Sequence, residues 1–273
     1  MTDAATQGPS PYPRTTTAER ADDATQGHWL LARLGKRVLR PGGVELTHWL
    51  LDAAGLPDAD VVELAPGLGR TATDVIARRP RSYRGVDADA DAAAAVSTIV
   101  AGHGEVIVAD AGATGLPDAS ADVVLGEAML TMQGEKAKHA IVAEAVRLLR
   151  PGGRYAIHEL ALTPDDLDDA VKTDVRQALA RSIKVNARPL TPAEWRALLT
   201  GHGLEVEQVH TAPMALLQPR RLIADEGFAG ALRFAKNLAT HPSARKRVLA
   251  MRATFRRHRD HLTAVAIVAR RPD

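Results

Sequence analysis

The chain has 273 residues, of which 45% are apolar and 25% charged, so one large globular domain is expected and collagen-like or wholly disordered chains are excluded. It contains no cysteine, which excludes disulfide scaffolds, thiolate zinc sites and thiol nucleophiles. The net charge of +2 conceals a basic segment, because residues 214–273 carry 13 Lys and Arg against 4 Asp and Glu.

The N-terminal part of the sequence predicts a tail followed by helices. Residues 1–27 have no periodic apolar face, so we expect a disordered or draped tail without a signal peptide or membrane span, and a cytoplasmic protein. Residues 28–55 are predicted to form helices interrupted at Pro41-Gly42-Gly43. His28 and Trp29 either cover a bound ligand or pack these helices.

From residue 56 to 212, short apolar runs alternate with helical segments, one of which covers residues 164–190. Repeated strand–helix units require a parallel sheet with helices on both faces, so the predicted fold class is α/β. Residues 213–260 are predicted to form a helical cap and 261–273 the last strand. The predicted strands are 60–65, 82–87, 105–110, 121–127, 154–162, 204–211 and 262–269, and the candidate pocket walls in the cap region are Met214, Phe228, Phe234 and Met251.

The segment 61–72 runs from a predicted strand through a glycine-containing turn into a helix. Gly67 and Gly69 let the backbone approach a ligand, and amides at the start of the helix point towards it, which indicates a nucleoside ligand. The spacing also satisfies the dinucleotide pattern, since Ala72 follows Gly69 by three residues and Asp87 follows Gly67 by twenty.

Three carboxylates help to separate these alternatives. Glu63 lies four residues before Gly67, where a carboxylate repels a pyrophosphate but attracts an ammonium group. Asp87 and Asp110 end the second and third predicted strands, which places both at the carboxyl edge of the sheet, where ligands bind. Together with the helix before the first strand, they favour an adenosyl ligand with an amino-acid tail.

In the order of its motifs, the chain resembles the class I S-adenosylmethionine-dependent methyltransferases, specifically the small-molecule (type 11) branch that includes quinone-biosynthesis C-methyltransferases. The resemblance covers roughly residues 56–162 and the last two strands. It implies a Rossmann-like, doubly wound sheet of seven strands, mostly parallel with an antiparallel last strand, plus the helical cap. The motifs are Glu63-Leu64-Ala65-Pro66-Gly67-Leu68-Gly69, Gly85-Val86-Asp87, Asp110-Ala111 with Leu116-Pro117, Asp122-Val123-Val124 and Leu149-Arg150-Pro151-Gly152-Gly153.

The resemblance implies S-adenosylmethionine as the cofactor and S-adenosylhomocysteine as its product. Carried over by position, Glu63 with Ala65, Pro66, Gly67 and Gly69 holds the methionine portion, Asp87 with Ala88 the ribose, Asp110 with Ala111 the adenine, and Glu127, Ala128 and Met129 lie beside the methyl donor. Ala65 stands where the family often has its first glycine, and alanine is a tolerated variant there.

The implied reaction moves a methyl group by in-line displacement to an oxygen, nitrogen or carbon nucleophile of a small-molecule acceptor. His158 and Glu159, at the end of the fifth predicted strand, are the candidate catalytic bases, and an imidazole pKa near 6.5 suits proton transfer. Because strand residues alternate faces, only one of the two can point into the site. A structural, hydrogen-bonding histidine is the alternative for His158.

Other hypotheses remain open. Residues 214–273 would bind phosphate in an RNA-modifying methyltransferase, although the 3% aromatic content argues against nucleic acid and a solvated helix face also explains the charge. A non-catalytic protein that binds S-adenosylmethionine is a third hypothesis, and a nicotinamide dehydrogenase, disfavoured by Glu63, a fourth. The histidines lack metal-ligand spacing, so no metal is predicted, and we expect a monomer or homodimer.

Overall fold

The computed structural model describes residues 26–36 and 39–273, so the tail predicted for residues 1–27 lies almost entirely outside the described residues. The strands are β1 (Asp60–Leu64), β2 (Ser82–Asp87), β3 (Gly104–Val108), β4 (Ala121–Glu127), β5 (Leu149–Leu162), β6 (Glu205–Pro213) and β7 (Leu262–Arg270). They form one sheet in the order β3-β2-β1-β4-β5-β7-β6. The pairs among β1 to β5 are parallel, and β7 is antiparallel to both β5 and β6, which confirms the predicted fold class.

Helices cover both faces of this sheet. In the described residues they are α1 (Gly27–Arg33), α2 (Gly43–Ala54), α3 (Arg70–Ile76), α4 (Ala90–Ile99), α5 (Glu135–Leu148), α6 (Asp169–Ile183), α7 (Pro192–Thr200), α8 (Pro219–Thr240) and α9 (Pro242–Arg257). Alternation along β5 creates the two halves of the core, since Tyr155 and Ile157 pack with α5 and α7 whereas Ala156 packs with α2.

Several element boundaries differ from the sequence prediction, among them the start of the fifth strand, which is Leu149 and not Arg154. The third strand ends at Val108, so Asp110 lies in the following loop and not at the strand end. The helix expected from residue 164 begins at Asp169, because the Asp168 carboxylate accepts a hydrogen bond from the amide of Ala170 at 2.7 Å and so caps the helix. The predicted interruption near Pro41 is present between α1 and α2.

The helices α8 and α9 form the connection between β6 and β7, and α8 bends at Gly227, where φ is +71° and ψ is 171°. They pack on α1 through a cluster that contains Leu30, Leu31, Phe234 and Met251. Within residues 26–36 and 39–273, no helix has both the length and the apolar character that a membrane span requires.

Candidate functional site

The chain turns sharply where β1 ends. The angle φ is +54° at Ala65, +57° at Gly67 and +71° at Gly69. A Cβ atom at Gly69 would lie 2.5 Å from Cδ1 of Ile99, whereas a Cβ atom at Gly67 would meet only the carbonyl oxygen of Ala65, at 3.8 Å. Packing therefore requires glycine at position 69, and the left-handed backbone favours it at position 67.

This turn borders a polar cleft of about 310 Å³ at the carboxyl ends of β1, β2 and β4. Residues from both sides of the break between α1 and α2 form part of the wall: His28, Trp29, Leu39 and Arg40. The predicted cofactor residues that line the cleft are Glu63, Ala65, Pro66, Gly67, Asp87, Glu127, Ala128 and Met129, and the rest of the lining is Leu68, Arg70, Thr71, Met132 and Gln133.

Four other predicted cofactor residues lie outside this lining. Gly69 is buried in the turn, Ala88 and Asp110 are exposed, and Ala111 is partly buried. The carboxylate of Asp110 accepts a hydrogen bond from the amide of Gly112 at 2.7 Å, which shapes the loop after β3.

Glu63 is a buried acid that faces the polar cleft. The hydroxyl of Tyr83 donates a hydrogen bond to its Oε2 at 2.7 Å, and no ion pair to it is formed by the described residues. Burial raises the pKa of Glu63 to about 8; Tyr83 and the charge of Arg40 lower it, while the nearby carboxylate of Glu127 raises it. A cation that entered the cleft would stabilise the ionised form of this carboxyl group.

Asp87 joins the end of β2 to the turn after β1. One of its carboxylate oxygens accepts a hydrogen bond from the amide of Gly67 and the other from the amide of Asp89, both at 3.0 Å. Burial raises the pKa of Asp87, and the two amide bonds oppose that rise. Each oxygen retains a lone pair that a ligand hydroxyl can use.

Glu127, the last residue of β4, holds together a buried group of polar side chains. Arg40 lies 2.9 Å from its Oε2, the hydroxyl of Thr47 donates to its Oε1 at 2.7 Å, and Thr71 donates to Oε2. Burial alone would raise the pKa of Glu127, but Arg40 and the hydrogen bonds from His158 and Thr71 lower it to about 2. The ionised Glu127 therefore fixes the segment before α2 to the sheet.

His158 is fully buried beside Glu127 and does not belong to the lining of the polar cleft. Its Nδ1 lies 2.7 Å from Oε1 of Glu127, and its Nε2 contacts the carbonyl oxygen of Pro41. Both partners are hydrogen-bond acceptors, so both ring nitrogens are engaged by the protein. The role of His158 as a base stays a prediction, and this geometry favours its structural alternative.

Glu159 is also fully buried and points away from His158, as alternation along β5 requires. It accepts hydrogen bonds from the amides of Met129, Leu130 and Thr131 at 3.0, 2.7 and 3.0 Å, and from the hydroxyl of Thr131 at 2.6 Å. These four bonds hold the 3-10 turn Leu130–Met132 in place. In this position Glu159 stabilises the loop that follows β4.

A second cavity, the apolar chamber, adjoins the polar cleft and has a volume of about 70 Å³. His28, Leu39, Ala128 and Met132 line both cavities. The remaining wall is formed by Gly27, Leu31, Pro41, Thr131, Leu160, Leu179, Ile183, Val185, Met214, Leu216, Met251 and Phe255.

The chamber wall includes two of the four pocket residues predicted in the cap region, Met214 and Met251. Phe228 is instead 75% exposed on α8, and Phe234 packs between the cap and α1. Sequence reasoning missed Arg40 and Thr71 in the cleft. An arginine just before the Pro41-Gly42-Gly43 break was the available signal for the first.

Known proteins resemble this chain in sequence and in fold. Residues 62–157 match a family model described as a methyltransferase domain. An uncharacterised protein of Haemophilus influenzae is 34% identical over 247 residues, which cover 88% of this chain and 96% of that protein.

Two solved structures share the fold. Phosphoethanolamine N-methyltransferase 2 of Haemonchus contortus, crystallised with S-adenosylmethionine, matches with a TM-score of 0.68 at 15% identity over 94% of this chain and 58% of that one. The [4+2]-cyclase SpnF also matches with a TM-score of 0.68, at 16% identity over 89% of this chain and 92% of that one.

The methyltransferase model spans the strands whose ends frame the polar cleft, namely β1, β2 and β4, and it extends into β5. The sheet order and the antiparallel β7 are those expected from the motif order of that family. The chain therefore belongs to the class I S-adenosylmethionine-dependent methyltransferases.

Proposed function

We propose that the protein transfers a methyl group from S-adenosylmethionine to a small-molecule acceptor. The observation that carries this proposal is the pair of adjoining cavities, one polar and one apolar, which share Ala128 and Met132 in their walls. Methyl transfer requires two ligands held in contact with the correct orientation. The polar cleft suits the cofactor, and the apolar chamber suits the acceptor.

The residues of the polar cleft fit S-adenosylmethionine. Among the described residues, no cation forms an ion pair with the buried carboxyl group of Glu63, and the ammonium group of the methionine portion would supply one. Gly67 leaves the turn without a side chain where the methionine portion would approach, and Asp87 has lone pairs for the ribose hydroxyls. When bound, the cofactor supplies a methyl group activated by a sulfonium and leaves as S-adenosylhomocysteine.

Glu127, Ala128 and Met129 would lie beside the methyl donor, since they line the polar cleft and Ala128 also lines the chamber. Arg40 and His158 act here as positioning residues, because both contact Glu127. The predicted contacts of Ala88, Asp110 and Ala111 with the ribose and adenine are part of the proposal, but they rest on the family resemblance and not on the cleft lining.

A small-molecule acceptor is favoured over RNA by the composition of the apolar chamber. Its described lining contains no charged side chain apart from the titratable His28, whereas RNA recognition uses phosphate contacts and base stacking. The atom that is methylated, whether oxygen, nitrogen or carbon, is the finer part of the proposal. The fold alone does not decide turnover, since the cyclase SpnF shares it.

Thermal unfolding with added ligands tests the cofactor. At a hundredfold excess over the dissociation constant, a ligand stabilises the folded state by about 2.7 kcal/mol. We expect S-adenosylmethionine and S-adenosylhomocysteine to raise the Tm, and NAD and NADP to leave it unchanged. Asp87→Asn should lose this response, whereas Asp58→Asn, on an exposed residue before β1, should keep it. Stabilisation by NAD alone would indicate that the glycine turn after β1 binds a dinucleotide.

A transfer assay tests turnover and the acceptor class. The protein is incubated with methyl-labelled cofactor and either a small-molecule fraction or total RNA. Label that enters the small-molecule fraction supports the proposal. Label confined to RNA supports the alternative, and stabilisation by the cofactor without transfer to either fraction indicates a non-catalytic protein.

A further inference from the structure

His28 lies on α1 where the polar cleft meets the apolar chamber, and it lines both. Its ring packs beside Trp29 with the ring centroids 5.1 Å apart. Among the described residues, no side chain or backbone group forms a hydrogen bond with the His28 ring, and no other residue of the chamber lining is titratable. With respect to residues 26–36 and 39–273, His28 is therefore an available hydrogen-bonding group at the junction of the two cavities.

The protonation state of His28 suits a hydrogen-bond acceptor. Burial lowers its pKa to about 4, so the ring is neutral near pH 7. A neutral imidazole has one nitrogen that accepts a hydrogen bond or a proton. In contrast, both nitrogens of His158 are engaged by Glu127 and Pro41, and Glu159 is engaged by the turn after β4.

The chamber itself limits what can enter it. Its volume of about 70 Å³ is less than half of the roughly 150 Å³ in an engineered apolar cavity that binds benzene. Apart from His28, the polar groups of its wall already have partners, since the hydroxyl of Thr131 donates to Glu159 and the carbonyl of Pro41 contacts His158. A charged group buried there would remain unpaired, which is costly. The chamber therefore suits a compact alkyl group.

We propose that the methyl acceptor is an uncharged small molecule that buries a compact apolar group in the chamber and presents a hydroxyl or neutral amino group to His28. This inference rests on the proposed function. As the acceptor oxygen or nitrogen bonds to the methyl carbon, the carbon–sulfur bond breaks and its electrons stay on sulfur. A hydroxyl becomes a much stronger acid than the His28 imidazolium as it is methylated, so its proton then passes to the ring nitrogen that accepts its hydrogen bond and on to solvent. A methylated amino group releases its proton directly to solvent.

The five methionines of the chain provide a test by NMR with ¹³C-methyl labelling. Met214 and Met251 line the chamber but not the polar cleft, Met129 lines the cleft but not the chamber, and Met132 lines both. The probes share one branched alkyl group: 3-methyl-1-butanol, its methyl ether, 3-methylbutanoate and 3-methylbutylammonium. They are added to the full chain saturated with S-adenosylhomocysteine.

We expect S-adenosylhomocysteine to shift the Met129 signal, and the alcohol then to shift Met214 and Met251 in a saturable manner. The two charged probes should bind at least tenfold more weakly. If S-adenosylhomocysteine leaves Met129 unchanged, the proposed function fails. If it shifts Met129 but the alcohol leaves Met214 and Met251 unchanged, or the charged probes bind equally well, only the present inference fails.

The role of His28 is tested with ring-labelled histidine and two variants. In the wild-type protein the alcohol should move the His28 ring signal more than the ether does, while exposed His103 stays unchanged. In His28→Phe and His28→Gln we expect the preference for the alcohol over the ether to fall about fivefold to tenfold, and His103→Gln to keep it. An unchanged preference in variants that still respond to S-adenosylhomocysteine would overturn the assignment. If both variants fail to fold, the wild-type ring signal decides.

Discussion

The polar cleft and the apolar chamber share a wall but are built in different ways. Most of the charged groups of the cleft stand on strand ends, with Glu63 on β1, Asp87 on β2 and Glu127 on β4, and backbone pairing in the sheet holds these strands in register. The chamber is formed mainly by apolar side chains of helices and connecting segments that are distant in sequence, such as Leu179 on α6 and Met251 on α9.

This difference suggests a division of labour. The groups that bind the cofactor are fixed by the sheet, so their geometry changes little when a surface helix changes. The chamber depends on how α1, α6 and the cap pack together, so substitutions there can alter its shape without disturbing the strand ends. Acceptor preference is therefore the property that this fold can vary most readily.

The largest effect is expected from removing the charge that anchors the cleft. Glu127→Gln leaves the buried Arg40 without its partner at 2.9 Å, and breaking a buried ion pair in this way costs about 3 to 5 kcal/mol. Urea denaturation should show this loss in the free energy of unfolding. Glu105→Gln, whose side chain is 67% exposed, is the control and should change it by less than about 0.5 kcal/mol. Equal changes in the free energy of unfolding at the two positions would show that the charge of Glu127 does not stabilise the fold.

A chamber substitution should separate the two cavities. Leu179 is fully buried on α6, so Leu179→Ala should cost about 2 to 3 kcal/mol, near the lower end for this change because one side of Leu179 already faces a cavity. Stabilisation by S-adenosylhomocysteine should remain as in the wild type, measured by thermal unfolding. Leu232→Ala, at a residue 62% exposed on α8, is the matched control. A lost cofactor response in Leu179→Ala would mean that the cavities are not independent.

The same division explains which features could be predicted from the sequence. The strand ends follow from local patterns, because an apolar run, a glycine turn and an acidic residue lie within a few positions of one another. Glu63, Gly67 and Asp87 were therefore predicted, Glu127 was predicted from the family resemblance, and all four line the cleft. Asp110 was predicted to end the third strand, but it lies in the loop that follows. The sequence pattern did not reveal that β3 ends at Val108.

Features that depend on long-range packing could not be derived in this way. Arg40 meets Glu127 only because the segment before α2 folds over the end of β4, a contact across 87 positions of the chain. The partners of His158 are set by the same fold, so its sequence position at a strand end suggested a base although both of its nitrogens have protein partners. The chamber likewise depends on residues from six separate regions, which lie within 27–41, 128–132, 160, 179–185, 214–216 and 251–255.

A third prediction concerns the protonation of Glu63. Its pKa is raised from 4.5 to about 8, so the folded state retains a proton that the unfolded state releases, and the stability contribution of Glu63 falls as the pH rises through this window. Tyr83, Arg40, Glu127 and Asp87 are the groups that act on it. If the cofactor ammonium group pairs with ionised Glu63, binding at pH 6.5 should release about one proton, since an α-amino group of pKa near 8 is already protonated there.

Calorimetry in two buffers of different ionisation enthalpy measures this proton release. Between pH 6.5 and 7.5 the affinity should rise by up to about tenfold, or 1.4 kcal/mol. Glu63→Gln should abolish both effects, and Glu105→Gln should retain them. Binding of S-adenosylhomocysteine to the wild type without proton release would show that Glu63 does not pair with the ammonium group.

The smallest effect is expected at Ala65, where the family often has a glycine. Its φ of +54° is unfavourable for alanine, so Ala65→Gly relieves strain and should raise the free energy of unfolding by up to about 1 kcal/mol. Ala94→Gly, at an exposed position inside α4, is the matched control and should lower it by about 1 kcal/mol, because glycine is a poor helix former. Urea denaturation measures both changes in the free energy of unfolding. If the same Ala→Gly substitution raises this free energy at position 65 and lowers it at position 94, the backbone conformation is the cause. If both variants are destabilised equally, the turn after β1 does not hold Ala65 in the left-handed region. The strand ends would then fix the cleft less rigidly than we infer from its difference from the chamber.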